Sequence, residues 1–339
     1  MSTEASRRDQ PYPSIDPVPP VSARPFWSVM IPTYHCADYL KRTLRSVLEQ
    51  AGSPDEMQIE VVDDVSTKDD PALVVQELGH DRVSFFRQPT NVGPQANFTT
   101  CVQRAKGHWI HILHGDDMVR PGFYAAMRRG SKIEPDIQAA FCRVITIDED
   151  DGWIEMSERE SVRPGIIPDL IDRLAVYNHI MFPSIVVRRT AFEQLGGFHP
   201  DLFHAADWDM WKRIAARFPV WYEPEPLALY RIHTRSDTSR LMRTGANIAD
   251  ARRAIEIARS YLPRARAQGL TRRARRYHGL YAMEVARERA LQGDWGSARA
   301  QVLAGLKCSV APPVWAALCR LLLLARPNLT VNSSRDRAT

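Results

Sequence analysis

The sequence predicts an α/β fold: a mostly parallel central sheet flanked by helices, followed by an α-helical extension. Three observations carry that reading. Short apolar runs alternate with amphipathic helical patterns through the first part of the chain, polar loops fall just beyond several of those runs, and the pattern turns almost wholly helical from about Ala246.

The elements follow in order. "FWSVMIPTY" is a strand stopped by Pro32, and "DYLKRTLRSVLEQ" places Leu40, Leu44, Val47 and Leu48 at helical spacing. "QIEVVDDVS" is a second buried strand ending in carboxylates, followed by a helix over "PALVVQELG" and a third strand around "VSFF". "TNVGPQANFTTCVQRAKG" gives a helix closed by Gly107, and "HWIHIL" a fourth strand. The rhythm then changes. A strand over Ala139–Ile147, the acidic loop "DEDDGWIEMSERE" and a helix over "IPDLIDRLAVYNHI" come first; the strand "SIVVRR", the turn "LGGFHP", a helix from Asp207 and a strand pair ending in "LALYRIH" follow. Later, "ALQGDWGSARAQVLAGL" resembles half of a helical-hairpin repeat.

At 339 residues and 44% hydrophobic content the chain can bury a sizeable core. Residues 1 to 24 are polar and proline-rich, without the apolar stretch of a secretory signal, and are expected to form a disordered tail. The main domain is expected over 25–240, dividing near residue 130, with a helical extension over 246–328 and a polar tail over 329–339. The formal charge of +5 is uneven, because arginines crowd Arg252 to Arg289. Glu256, Glu284 and Glu288 interrupt them at helical spacing, so a solvated helix face explains them better than a nucleic-acid surface. Five cysteines with no CxxC pair suggest neither a disulfide framework nor a zinc site, which fits a reducing cytoplasm. The run from Val310 to Ala325 contains two prolines and Arg320 and falls short of the ~20 residues of a membrane span. A basic helical tail with an apolar end is compatible with peripheral docking on the inner face of a membrane, and equally with a helical cap or a homodimer contact.

The polar loops Pro32 to Tyr34, Asp63 to Ser66 and His114 to Asp117 lie beyond the C-terminal ends of strands, the edge where open α/β sheets bind ligands. Taken alone, Asp116 and Asp117 serve equally well as turn residues or helix N-caps. On that edge they also suit a hard divalent cation bridging carboxylate and diphosphate, and Gly115 would let backbone approach a ligand closely. Asp63 and Asp64 form a second acidic pair. The absence of GxxxxGKS and GxGxxG patterns argues against a P-loop NTPase and a dinucleotide dehydrogenase.

At this point a resemblance emerges. "WSVMIPTYHCADYLKRTLRSVLEQ", "IEVVDDVSTKDD", "NVGPQANF" and "AKGHWIHILHGDDMVRPGF", then "PSIVVRRTAFEQLGGFHPDL", "ADWDMWKRIA" and "LALYRIH", resemble the successive motifs of family 2 glycosyltransferases over residues 27 to 235. The resemblance implies a GT-A fold, with 25–130 the nucleotide-binding half and 131–240 the acceptor-binding half, and inverting transfer from a nucleotide-sugar donor, a UDP-sugar being commonest. The acceptor would be a hydroxyl on a glycan, lipid-linked or small-molecule partner, as in cell-surface polysaccharide or glycolipid synthesis. It implies a nucleoside pocket at Pro32, Thr33, Tyr34, Asp63 and Asp64, with Asn91, Gly93 and Asn97 bordering the donor. The family's DxD element falls on "HGDD": His114 stands for the first aspartate, Asp116 lies near the ribose or metal, and Asp117 is the preferred ligand for Mn2+ or Mg2+. His233, ending "YRIH", would reach the metal or diphosphate, and Arg231 and Arg235 could neutralise phosphate. The family's acidic "ED" motif matches "ADWDMWKRIA", with Ala206 where glutamate is common.

Helical geometry separates the two aspartates of that segment. Asp207 shares a face with Trp211, Ile214 and Phe218 toward the protein body, which suits a partly buried catalytic base, while Asp209 points at Arg213 one turn on, as a structural salt bridge. A nucleotidyltransferase and a non-catalytic carbohydrate-binding or scaffold protein of the same fold are the rival readings. The first would favour a glycine-rich phosphate loop, which "PTYHCADYL" lacks.

Overall fold

The computed structural model describes residues 12–19, 23–234 and 236–324. Strand β1 (Trp27–Thr33) is buried throughout and alternates its side chains between two cores, Met30 on one face and Val29 and Ile31 on the other. Helix α1 (Ala37–Leu48) turns Leu40, Leu44 and Val47 inward. Next come β2 (Met57–Asp63), α2 (Pro71–Gly79), β3 (Ser84–Arg87), α3 (Pro94–Arg104) and β4 (Trp109–Ile112). The sheet runs β3-β2-β1-β4 here, every pairing parallel, as helical crossovers require.

Beyond β4 the sheet becomes mixed. The chain forms β5 (Met118–Val119), α4 (Phe123–Ile133), β6 (Ala139–Ile147), β7 (Trp153–Met156), β8 (Gly165–Ile166) and α5 (Leu170–Leu174). It continues through β9 (Ile185–Arg188), α6 (Arg189–Leu195), α7 (Ala206–Ala215) and β10 (Val220–Arg231). The path extends as β4-β9-β6-β10-β5, with β9 antiparallel to both neighbours and β6 parallel to β10.

Two elements differ from expectation for local reasons. The long helix expected over "IPDLIDRLAVYNHI" is only the five residues of α5, which starts after Asp169 in the left-handed region; turn-type bonds carry on to Tyr177, and beyond it the Asn178 side chain accepts the Ile180 N–H. The expected strand pair is one twelve-residue strand whose register shifts around Pro226, where proline offers no ladder N–H.

The tail also needs correcting. Residues 12–19 lie against the body rather than forming a disordered stretch; the remaining tail positions, apart from 23–24, lie outside the described residues. Ile15 is buried in the main core, Arg189 donates to the Asp16 carbonyl at 2.9 Å, and the Arg213 guanidinium lies 3.9 Å from the Tyr12 ring centroid.

The extension comprises α8 (Asp237–Thr244), α9 (Ala246–Ala258), α10 (Arg264–Leu291), α11 (Trp295–Cys308) and α12 (Pro312–Leu324). α9 places Ala251, Ala254 and Ile255 in the main core. The arginine-rich stretch is laced by ion pairs: Arg266 with Asp169 and Asp172, Arg275 with Glu256, Arg287 with Glu284. No helix among the described residues is long and apolar enough to cross a membrane.

Candidate active site

The chain leaving β4 turns sharply through His114–Asp117. The Thr43 hydroxyl of α1 holds this turn, donating to the carbonyls of Gly115 at 3.0 Å and Asp117 at 2.7 Å. Gly115 has a packing reason different from the one expected. A Cβ there would lie 2.7 Å from Thr33 Cγ2 and 2.8 Å from Cys36 Sγ, so glycine lets this turn close on the end of β1.

Within the turn, ligand atoms of His114, Asp116 and Asp117 all lie within 4.8 Å of one another. Asp117 is 1% exposed; one carboxylate oxygen accepts the Arg231 N–H at 2.9 Å, and Oδ2 is buried without a partner. Burial, reinforced by neighbouring Asp116, pushes the Asp117 carboxyl well above the usual range. A cation against Oδ2 would supply the missing partner and hold the group ionised. His114 is stacked on Phe98 at 5.0 Å and packs on Phe182 at 4.5 Å, its Nδ1 lying 3.8 Å from Asp117 Oδ2. Burial lowers its pKa, so the imidazole is neutral and able to ligate, and its Nε2 is also unpartnered.

Burial works against ionisation of Asp116, but the effects led by the His233 hydrogen bond outweigh it and hold the carboxyl below its ordinary value. His233 Nε2 lies 3.0 Å from Asp116 Oδ2, so this imidazole stands one step back from the cluster and orients Asp116. Arg231 is already committed. It is buried, donates to the carbonyls of Asp116 and Asp148, and pairs with Asp151 at 2.5 Å, tying the acidic loop to the turn rather than facing open solvent. Arg235 lies outside the described residues.

Across β1, the end of β2 is satisfied internally. Asp63 accepts from the Ser66 hydroxyl at 2.6 Å and Arg87 Nε at 2.7 Å; Asp64 accepts the N–H groups of Val92 at 2.8 Å and Gly93 at 2.9 Å. Gly93 takes φ +82°, which L side chains rarely adopt, to present that N–H. Asn91 donates to the Asp64 carbonyl, and the Asn97 amide is consumed by Val62 and Gln88. Pro32 and Thr33 are buried at the end of β1, while Tyr34 is 52% exposed beside His35.

Asp207 sits in the first turn of α7, half-buried, one oxygen accepting the Trp208 N–H at 2.6 Å and the other Asn178 Nδ2 at 2.9 Å. Burial, partly opposed by those two hydrogen bonds, raises its pKa to about 7. The expected Asp209–Arg213 pair forms at 2.9 Å. Of the two aspartates, however, Asp209 is the more deeply buried, because Tyr261 at the end of α9 covers it with a 2.7 Å hydrogen bond. Burial, with the neighbouring acidic groups acting in the same direction, raises the pKa of the Tyr230 phenol on β10. Asn178, Phe98, Phe182 and Thr43 escape a sequence reading, since each matters only through a partner distant in the chain.

This sheet, with ligand-ready groups along one edge, defines the class: a GT-A domain of the kind found in nucleotide-sugar transferases. The family model described as "Glycosyl transferase family 2" matches residues 28–196. The chain is 30% identical over 244 residues to the uncharacterized protein MT1568 of Mycobacterium tuberculosis (strain CDC 1551 / Oshkosh), spanning 69% of this chain and 75% of that protein. Among solved structures, the mannosyltransferase PcManGT from Pyrobaculum calidifontis, in complex with GDP-Man and Mn2+, superposes with a TM-score of 0.56 at 18% identity, covering 94% of this chain and 84% of that one. S. aureus TarS 1-349 in complex with UDP-GlcNAc gives a TM-score of 0.54 at 14% identity, covering 83% and 91%. At those identities the structural likeness bears on the fold. The chain belongs to glycosyltransferase family 2, and it is a glycosyltransferase.

Proposed function

We propose that the chain transfers a hexose from a nucleoside-diphosphate sugar, a UDP-sugar first among candidates, to a hydroxyl of a glycan, lipid-linked or small-molecule acceptor, with inversion at the anomeric carbon. One observation carries the reading: an ion-ready cluster with an unpartnered buried oxygen on Asp117 accompanies a separate carboxyl, Asp207, raised to about 7. Carboxylate oxygen and neutral imidazole are donors that Mn2+ accepts, and the orphaned Asp117 Oδ2 fits such an ion, with Asp116 and His114 beside it. When bound, the ion supplies positive charge against the departing diphosphate. PcManGT in complex with GDP-Man and Mn2+, and TarS in complex with UDP-GlcNAc, support a nucleotide-sugar donor.

The chain's own residues do the rest. Tyr34 offers an exposed aromatic face beyond β1 for a nucleobase, and Asp64 fixes the Val92–Gly93 backbone that would border the donor. His233 and Arg231 hold Asp116 in place. Asn178 and the Trp208 N–H fix the Asp207 carboxyl, which accepts the acceptor's proton as that hydroxyl attacks the anomeric carbon. A pKa near the working pH leaves much of the carboxyl ionised yet basic enough for that transfer. Cell-surface polysaccharide or glycolipid synthesis is the setting this chemistry suits. Sugar transfer and nucleotide affinity measured side by side on Asp207→Asn test the reading. Transfer is expected to fall on the order of 10²–10⁴-fold with nucleotide affinity unchanged, and a fully active variant would remove Asp207 from the base's role.

A further inference from the structure

The last two helices carry two apolar faces where packing needs only one. The inner sides of α11 and α12 converge on α10, with Ala298, Val314, Leu318 and Leu321 against Met283, Ala286 and Ala290. Their outer sides therefore point away from α10. On α11 the outer row is Trp295, Arg299, Leu303 and Lys307 at four-residue spacing, continued by Val310 in the link. On α12 the outer side carries Trp315, Cys319, Arg320, Leu322 and Leu323. The large apolar members of these rows are 48% to 67% exposed. A water-facing helix side normally carries mixed polar and charged residues.

Charge selects the occupant. From Trp295 to Leu324 the sequence contains Arg299, Lys307 and Arg320 and not one aspartate or glutamate, whereas α10 pairs several of its arginines with carboxylates. Exposed tryptophan and leucine interleaved with unopposed cations suit a surface with an anionic layer over hydrocarbon. Over the described residues neither helix is long enough to cross it.

We propose that the outer face of α11 and α12 docks on an anionic lipid bilayer, lying in its interfacial plane. The segment is outside residues 28–196 matched by the family model, and the proposal does not depend on which sugar is transferred or which group serves as base.

Co-sedimentation of the full chain with vesicles tests it, using phosphatidylcholine alone and phosphatidylcholine mixed with phosphatidylglycerol. Binding is expected on the mixed vesicles, weakening as salt is added, and little on the neutral ones. Arg299→Glu with Lys307→Glu and Arg320→Glu should lower partitioning on the order of a hundred-fold. Trp315→Ser with Leu322→Ser and Leu323→Ser should lower it about ten-fold or more. All six positions are exposed, so unchanged thermal melting of both variants would show that they fold. The proposal is overturned if the wild type stays in the supernatant with mixed vesicles, or if the charge variant pellets like the wild type. It is equally overturned if the wild type forms a dimer that the serine variant abolishes while neither binds vesicles, which would make a second copy the occupant.

Discussion

Asp63 and Asp64 close one strand beside β1, Asp116 and Asp117 follow the end of another, and the two pairs are satisfied in opposite ways. In the first pair every carboxylate oxygen has a protein donor, drawn from Ser66, Arg87, Val92 and Gly93. In the second, one oxygen of Asp117 is buried with no partner, and so is Nε2 of His114, whose other ring nitrogen lies 3.8 Å from that oxygen. A buried polar atom left unpaired costs about 1–3 kcal/mol, and a bound ion is one partner that would satisfy it. The contrast fits the proposed division of labour, in which the first pair shapes the loops around the site and the second would receive what binds there.

The largest expected effect comes from Asp117→Asn, which removes the oxygen that has no protein partner. Sugar transfer should fall about 10³-fold or more, since the charge stabilisation at stake is several kcal/mol. Initial rates across a manganese titration check this. Asp63→Asn should reverse the balance: transfer stays within about ten-fold of wild type, while urea denaturation shows a loss of about 1–3 kcal/mol from the broken buried bonds. Equal losses of activity in both variants would erase the distinction.

A similar contrast separates Asp207 from Asp209, and pH sharpens it. Transfer should fall about ten-fold per pH unit below about 7, as Asp207 takes up a proton. Asn178 donates a hydrogen bond that favours the charged form, so Asn178→Ala should move this limb upward by up to about one pH unit. A further effect is on stability. The Asp207 pKa is raised on folding from 3.8 to about 7, so the folded state holds this proton more tightly. Its contribution favours folding at low pH and is lost as pH rises through that window. Asp207→Asn should therefore melt higher than wild type at pH 8 and no higher at pH 4.

Much of this frame is legible in the sequence. Strands that bury both faces read as apolar runs, and the carboxylates at their ends mark the ligand edge; the i,i+4 spacing also foretells Asp209–Arg213. What the sequence conceals depends on partners far along the chain. His114 resembles a replaced aspartate until Phe98 and Phe182 are seen holding its ring. Asp209 is more buried than Asp207 because Tyr261, fifty-two positions later, closes over it. Tyr12–Pro19 reads as a polar, proline-rich tail, yet Arg189 and Arg213 hold it by a carbonyl and a ring that leave no periodic trace.

In the proposed reading the His114–Asp117 turn, and not the Asp63–Asp64 pair, receives the divalent ion that works with the nucleotide. Titrating Mn2+ into the full chain with a nucleoside diphosphate present, and following free Mn2+ by electron paramagnetic resonance, tests it most directly. Wild type and Asp63→Asn should take up the ion with similar affinity, and Asp117→Asn should bind it at least about ten-fold more weakly. Undiminished uptake by Asp117→Asn, with loss in Asp63→Asn, would contradict the account.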